Sequence, residues 1–259
     1  MRRAMLSVQR ALSCVLLLAL LFSASLPAAA EETDVLADDL PMLVNKDHPV
    51  AEDFLPADLV LLTEVLDSSL VNVKSRDIKA VRAAAEALEV MLEAAKDDGI
   101  KNWQINTAYR SIQEQQKILD NRIRSYMKSN PGMTRSRARS RALRTVAEPG
   151  CSEHHIGLAF DITAKGASGF RGTRQCNWLH AHCWNYGFIV RYQADKTEIT
   201  GYAAEEWHIR YVGVEHSIPI RDANYCLEEY LDSLQPDPFD FLVEDLEEDI
   251  DFKDLIPQP

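Results

Sequence analysis

The clearest periodicity in the chain lies between residues 77 and 98, where Ile78, Val81, Leu88, Met91 and Leu92 recur on one helical face. Asp77 can cap the start and Gly99 suits the stop, so the spacing predicts a helix over 77–98. Residues 100–108 then read as a strand and about 111–127 as a second helix. From Gly157 onward the pattern changes to short apolar runs. Residues 158–162, 188–191 and 208–211 predict strands, 176–186 a helix between the first two, and 226–234 a last short helix. Upstream, LVNKDHPVAEDFLP at 43–56 carries Pro49 and Pro56 and reads as extended chain. The mixed order of helices and strands, without an internal repeat, predicts a single α+β domain with a small antiparallel sheet and flanking helices.

The two ends have a different texture. Arg2, Arg3 and Arg10 precede an apolar run from Ala11 to Leu26, and Ala28-Ala29-Ala30 offers a small-residue cleavage site before Glu31. Residues 1–30 therefore read as a secretory signal peptide, which places the mature protein outside the cytoplasm, secreted or in the wall or periplasm. Left uncleaved, the run would be a membrane anchor, although it is short for a span of about 20 residues. Residues 31–40 form an acidic segment. The domain runs over 41–234, and 235–259 reads as a disordered acidic tail, with nine acids and one lysine after Gln235.

Composition narrows the partners. Over 259 residues, Lys+Arg 28 against Asp+Glu 40 gives a net charge of −12. Residues 1–30 hold three arginines and no acids, so their removal leaves −15. A nucleic-acid-binding protein is normally basic, and that class is excluded. One stretch runs against the balance: residues 122–144 carry Arg122, Arg124, Lys128, Arg135, Arg137, Arg139, Arg141 and Arg144. A solvated helix face is the plainer reading, and contact with an anionic cell-wall polymer is the other. Beyond the signal segment the cysteines are Cys151, Cys176, Cys183 and Cys226, enough for two disulfides in an exported protein. Seven residues along one helix would separate Cys176 from Cys183 by about 10.5 Å, beyond disulfide reach. With Cys176 just ahead of the helix the pair becomes feasible, so pairing stays open beside the reading of four free buried thiols.

Two short stretches carry chemistry. In Ser152-Glu153-His154-His155-Ile156-Gly157-Leu158-Ala159-Phe160-Asp161, a turn at Gly157 can bring His154 back towards Asp161, and imidazole with carboxylate is a partial ligand set for zinc. In Glu205-Glu206-Trp207-His208, His208 can complete a three-residue site with one position open for water. Glu205 lies close enough in sequence to act as a base on a metal-activated water without binding the metal. Taken singly, these spacings equally suit half-buried histidines and surface acids. His180 and His182 beside Cys183 read as helix-surface residues.

Together the segments resemble the VanY-like D-alanyl-D-alanine carboxypeptidases of bacterial cell-wall metabolism. That family shows Ser-x-His-x-x-Gly-x-x-x-Asp, matched from Ser152 to Asp161, and Glu-Pro-Trp-His before Arg-Tyr-Val-Gly, matched from Glu205 to Gly213 except at Glu206. It also shows Tyr-Arg-Ser with a Gln four residues on, matched by Tyr109, Arg110, Ser111 and Gln115. LVNK at 43–46, YGFIVRY at 186–192 and ITGY at 199–202 agree as well, so the likeness runs from about 41 to 234. The resemblance implies Zn²⁺ held by His154, Asp161 and His208 on the small sheet, Glu205 as catalytic base, and Arg110 at the developing oxyanion. Ser152 and Gln115 would hold the carboxylate or backbone of the substrate. It implies a hydrolase, a zinc metallocarboxypeptidase removing the terminal D-alanine from peptidoglycan stem peptides. An L,D-carboxypeptidase, a D,D-dipeptidase with the same site, and a non-catalytic wall-binding module are the alternatives. Glu206 replaces the usual proline and His155 the usual glutamine; alternation along extended chain should turn both away from the metal.

Overall fold

The structure, a computed structural model, describes residues 41–235, all within one compact unit that begins at Pro41. The signal peptide, the acidic segment before Pro41 and the acidic tail beyond Gln235 lie outside the described residues.

The chain enters through β1 (Leu59–Leu61), α1 (Leu62–Val65), β2 (Val71–Val73), β3 (Lys79–Val81) and α2 (Arg82–Asp97). It continues through β4 (Trp103–Thr107), α3 (Ile112–Ser129), α4 (Arg135–Ala142), β5 (Ala159–Ala164) and α5 (Arg174–His182). The last elements are β6 (Phe188–Tyr192), α6 (Thr197–Thr200), β7 (Glu205–Tyr211), α7 (Val214–Ala223) and α8 (Leu227–Ser233). Five strands form one sheet in the order β2-β4-β5-β7-β6, and β1 pairs with β3 in a separate ribbon. The sheet is antiparallel from β4 to β6; β2 joins β4 in parallel, so the sheet is mixed rather than wholly antiparallel.

The core forms where the apolar face of α2 meets the sheet. Ala84, Leu88, Met91 and Leu92 pack with Ile105, Phe160, Ile162 and Ile209 in one cluster. That face is the one the periodicity marked, but the helix begins at Arg82, not Asp77. Residues 79–81 pair with 59–61 instead, and Leu62 N–H donates to the Ile78 carbonyl. Apolar positions of a short strand had run into the helical pattern. On α3, Ser111 is the predicted start in fact: its hydroxyl accepts from Glu114 N–H, and Glu114 caps Ser111 in return. The basic stretch forms the end of α3 and all of α4. There Leu119 and Ile123 pack on Ala138 and Ala142 while most of the arginines point outward. The four cysteines are free and buried, which is the thiol reading. His180 is exposed and His182 stacks on Trp178, as surface residues of α5.

Candidate metal centre

The site is assembled where β5 and β7 lie side by side. Their register sets Asp161 directly opposite His208. His154 comes from the single 3₁₀ turn over Glu153–Ile156, which Gly157 ends in a left-handed conformation at φ 69°. A side chain at Gly157 would also meet Leu59 and Val81 at 3.1 Å, so this reversal requires glycine. The turn brings His154 Nε2 to 3.5 Å from Asp161 Oδ1, and His208 Nδ1 lies 3.2 Å from the same oxygen. One ligand atom from each of the three residues lies within 4.8 Å of the others.

The remaining ring nitrogens define which atoms are free to bind. His154 donates from Nδ1 to the Ala108 carbonyl at 2.6 Å, and His208 points Nε2 at Glu153 Oε2 at 3.4 Å. Each imidazole is thus oriented through one nitrogen and presents the other to Asp161, the arrangement that fixes a metal-binding tautomer. Two imidazole nitrogens and one carboxylate oxygen, converging with a cleft on the open side, fit zinc. Burial holds His154 below its usual pKa. Burial also opposes charge on His208, yet hydrogen bonds to Asp161 and Glu153 raise it to about 9. Asp161 is ionised, its burial outweighed by the two histidines.

Glu205 and His208 are three residues apart, so a regular strand would turn them to opposite faces. The β6–β7 register shifts between the Val190 and Tyr192 pairings, and this irregularity in β7 lets both face one site. Glu205 Oε2 lies 4.0 Å from His208 Nδ1. Burial raises the Glu205 carboxyl above its usual range, with Asp161 adding to the rise against the pull of His208 and Arg110. Glu206 faces away and pairs with Arg171.

Arg110 is pinned along its length. Its N–H donates to the His154 carbonyl at 3.0 Å, and its own carbonyl accepts from His155 Nδ1 at 2.7 Å. His155 therefore does turn away from the metal, but through a tight turn and not through extended chain, and it anchors the arginine backbone. Arg110 Nη1 donates to Gln115 Oε1 at 2.7 Å, and Gln115 Nε2 donates to the Ala147 carbonyl at the same distance. Both ends of the Gln115 amide are thus engaged within the protein. Ser152 lines the cleft, which measures about 280 Å³ and also takes in Arg110, Glu205, Tyr192 and Tyr202.

The family described as VanY, D-alanyl-D-alanine carboxypeptidase, matches residues 77–214. The chain belongs to the VanY family. It is 36% identical over 192 residues to a D-alanyl-D-alanine carboxypeptidase of Enterococcus faecalis, covering 74% of this chain and 65% of that relative, under two thirds of its length. The solved structure of a vancomycin-resistance D,D-pentapeptidase VanY in complex with Zn(II) matches with a TM-score of 0.61 and 34% identity, over 73% of this chain and 97% of that one. The LdcB LD-carboxypeptidase matches with a TM-score of 0.62 and 32% identity, over 74% of this chain and 86% of that one.

One residue inside the VanY motif was passed over as the unspecified position between Ser152 and His154. Glu153 is 1% exposed and lies within hydrogen-bonding distance of three side chains. Arg191 Nε donates to it at 2.8 Å and Arg210 Nη1 at 2.9 Å, beside its contact with His208. Arg191 in turn binds Glu228 of α8, which accepts from Asn45. The signal was available: Arg191 and Arg210 sit within apolar strands, and a buried guanidinium needs a buried acid. Burial alone would push the Glu153 carboxyl up, but the two arginines hold it far below the usual range. Glu153→Gln leaves two buried cations short of charge and is expected to cost about 3 kcal/mol in denaturant unfolding at pH 7. A depressed carboxylate contributes above its unfolded pKa of about 4.3 and fades as pH falls, so the wild-type advantage should shrink below that pH. An unchanged midpoint at pH 7 would refute the network's contribution.

Proposed function

We propose that the protein is a zinc-dependent carboxypeptidase that removes the C-terminal D-alanine from peptidoglycan stem peptides outside the cytoplasm. The observation that carries this reading is the half-buried Glu205 carboxyl, raised in pKa, 4.0 Å from His208 Nδ1 beside the His154–Asp161–His208 cluster. When bound, zinc supplies Lewis acidity that polarises a carbonyl and acidifies water. Glu205 accepts the proton of the attacking water at its carboxylate and then delivers it to the leaving D-alanine nitrogen. Arg110 donates to the oxygen on which negative charge develops, held in place through Gln115 so that no reorganisation is needed. Gln115 acts as a positioning residue for Arg110, and Ser152 offers its hydroxyl to the substrate. Export follows from the signal pattern in residues 1–30, with a membrane location only if that segment is uncleaved. No nucleic-acid partner fits the charge balance.

Likeness to LdcB favours a second reading, the same chemistry on the L,D bond of a tetrapeptide. Defined tri-, tetra- and pentapeptide stems incubated with the zinc-loaded protein, with products identified by mass, test both. Pentapeptide shortened by one alanine is the expected result. Attack on the tetrapeptide alone would move the reading to the L,D bond, and tight binding with no product would make the protein a wall-binding module.

A further inference from the structure

Tyr202 is the member of the cleft that the chemistry above leaves idle. Its side chain is 6% exposed and borders both the catalytic cleft and an adjoining cavity of about 480 Å³. The ring is gripped: Tyr192 packs against it at 5.0 Å, and the Lys46 ammonium lies 4.7 Å from its centre. Among the described residues, the Tyr202 hydroxyl is nevertheless the buried side-chain polar atom without a hydrogen-bond partner. A buried tyrosine normally finds a partner for its O–H, and leaving one unpaired costs folding stability. A polar group fixed at a cleft wall and left unpaired in the free protein is suited to a ligand that completes it.

At neutral pH a phenol donates, so the ligand atom is an acceptor. A peptide ending in D-alanine brings two acceptors near the metal, the scissile carbonyl and the terminal carboxylate. The first is taken by the metal and Arg110. Cys151, the residue before Ser152, is close enough to act electrostatically on the Tyr202 phenol, which puts the two hydroxyls at one end of the cleft. Glu205 acts on both Arg110 and Tyr202, so the base stands within reach of both ends. We infer that the Tyr202 hydroxyl, together with Ser152, seats the terminal carboxylate of the substrate and so selects for a free C-terminus. The inference rests on the carboxypeptidase reading.

The test is Tyr202→Phe in the full zinc-loaded protein, with a pentapeptide stem as free acid and as C-terminal carboxamide. A lost hydrogen bond to a charged group should raise KM for the acid about 10–100-fold, with kcat changed only a few-fold. KM for the carboxamide should be the same in variant and wild type. Zinc content should be unchanged, and the substrate-free melting midpoint should hold or rise, because an unpaired buried hydroxyl has been removed. An unaltered KM for the acid, an equal rise on both substrates, or a lowered midpoint would overturn the assignment. Calorimetric binding of D-alanyl-D-alanine and its amide in a Glu205→Gln background repeats the comparison without turnover. If the wild type hydrolyses nothing yet Tyr202→Phe weakens only the acid in that titration, the hydrolytic reading fails while the carboxylate seat stands; equal affinities there would remove the seat.

Discussion

Glu205→Gln is expected to reduce hydrolysis of a pentapeptide stem by at least about 10²–10⁴-fold while fold and zinc content stay at wild-type levels. Glutamine nearly matches glutamate in shape but cannot accept a proton at neutral pH. The loss should appear in kcat, since the carboxylate works on the reacting water and not on substrate binding. Glu206→Gln is the matched control, because Glu206 pairs with Arg171 on the far side of β7 and should leave kcat within a few-fold. Glu205 must be ionised to act, and its pKa is raised, so the acid limb of the wild-type profile should lie above the ordinary glutamate value. Measured on one peptide, equal activity of the two variants would remove the base assignment. Loss confined to Glu206→Gln would put the wrong carboxylate at the metal.

That choice between neighbouring acids shows where sequence reasoning reaches its limit. Strict alternation places Glu206, not Glu205, on the His208 face, and the irregular pairing of β6 with β7 reverses the outcome. Such a shift depends on strand pairing, which local sequence does not encode. His154 and Asp161 were legible because a single glycine turn joins them over seven residues, a local event. Arg110 and Gln115 were legible as motif residues, but the engagement of both ends of the Gln115 amide, with Arg110 and Ala147, follows from packing across 32 residues. β1 and β2 escaped notice because three residues give no periodicity, and β3 was absorbed into α2 for the same reason. α7 was missed because Pro219 sits within it and disguises the pattern. The Glu153 network joins residues 37 to 57 positions apart, yet its arginines were visible as charges within apolar strands.

A His154→Ala/His208→Ala protein is expected to hold no zinc after dialysis and to lose hydrolysis completely, whereas the wild type holds about one per chain. One carboxylate cannot replace two imidazoles whose orientation is set by Ala108 and Glu153. Metal uptake should also be coupled to protons in a way specific to these histidines. His154 is kept neutral by burial, so it gives up nothing on binding. His208 is held protonated up to about pH 9 by Asp161 and Glu153, and must lose that proton to offer Nδ1. Zinc affinity of the metal-free protein should therefore fall about tenfold for each pH unit below 9. In the metal-free state the same proton stabilises the fold: its contribution is full below the unfolded histidine value of about 6.5 and is lost as pH rises through 9. Zinc-loaded protein, with His208 already neutral, should show no such decline. Competition with a chelator at pH 7 and 8, beside denaturant unfolding with and without zinc over the same range, measures both effects. Full occupancy in the double variant would refute the ligand set. A pH-independent affinity would mean that His208 is neutral before the metal arrives, and that Glu153 orients the ring without holding its charge.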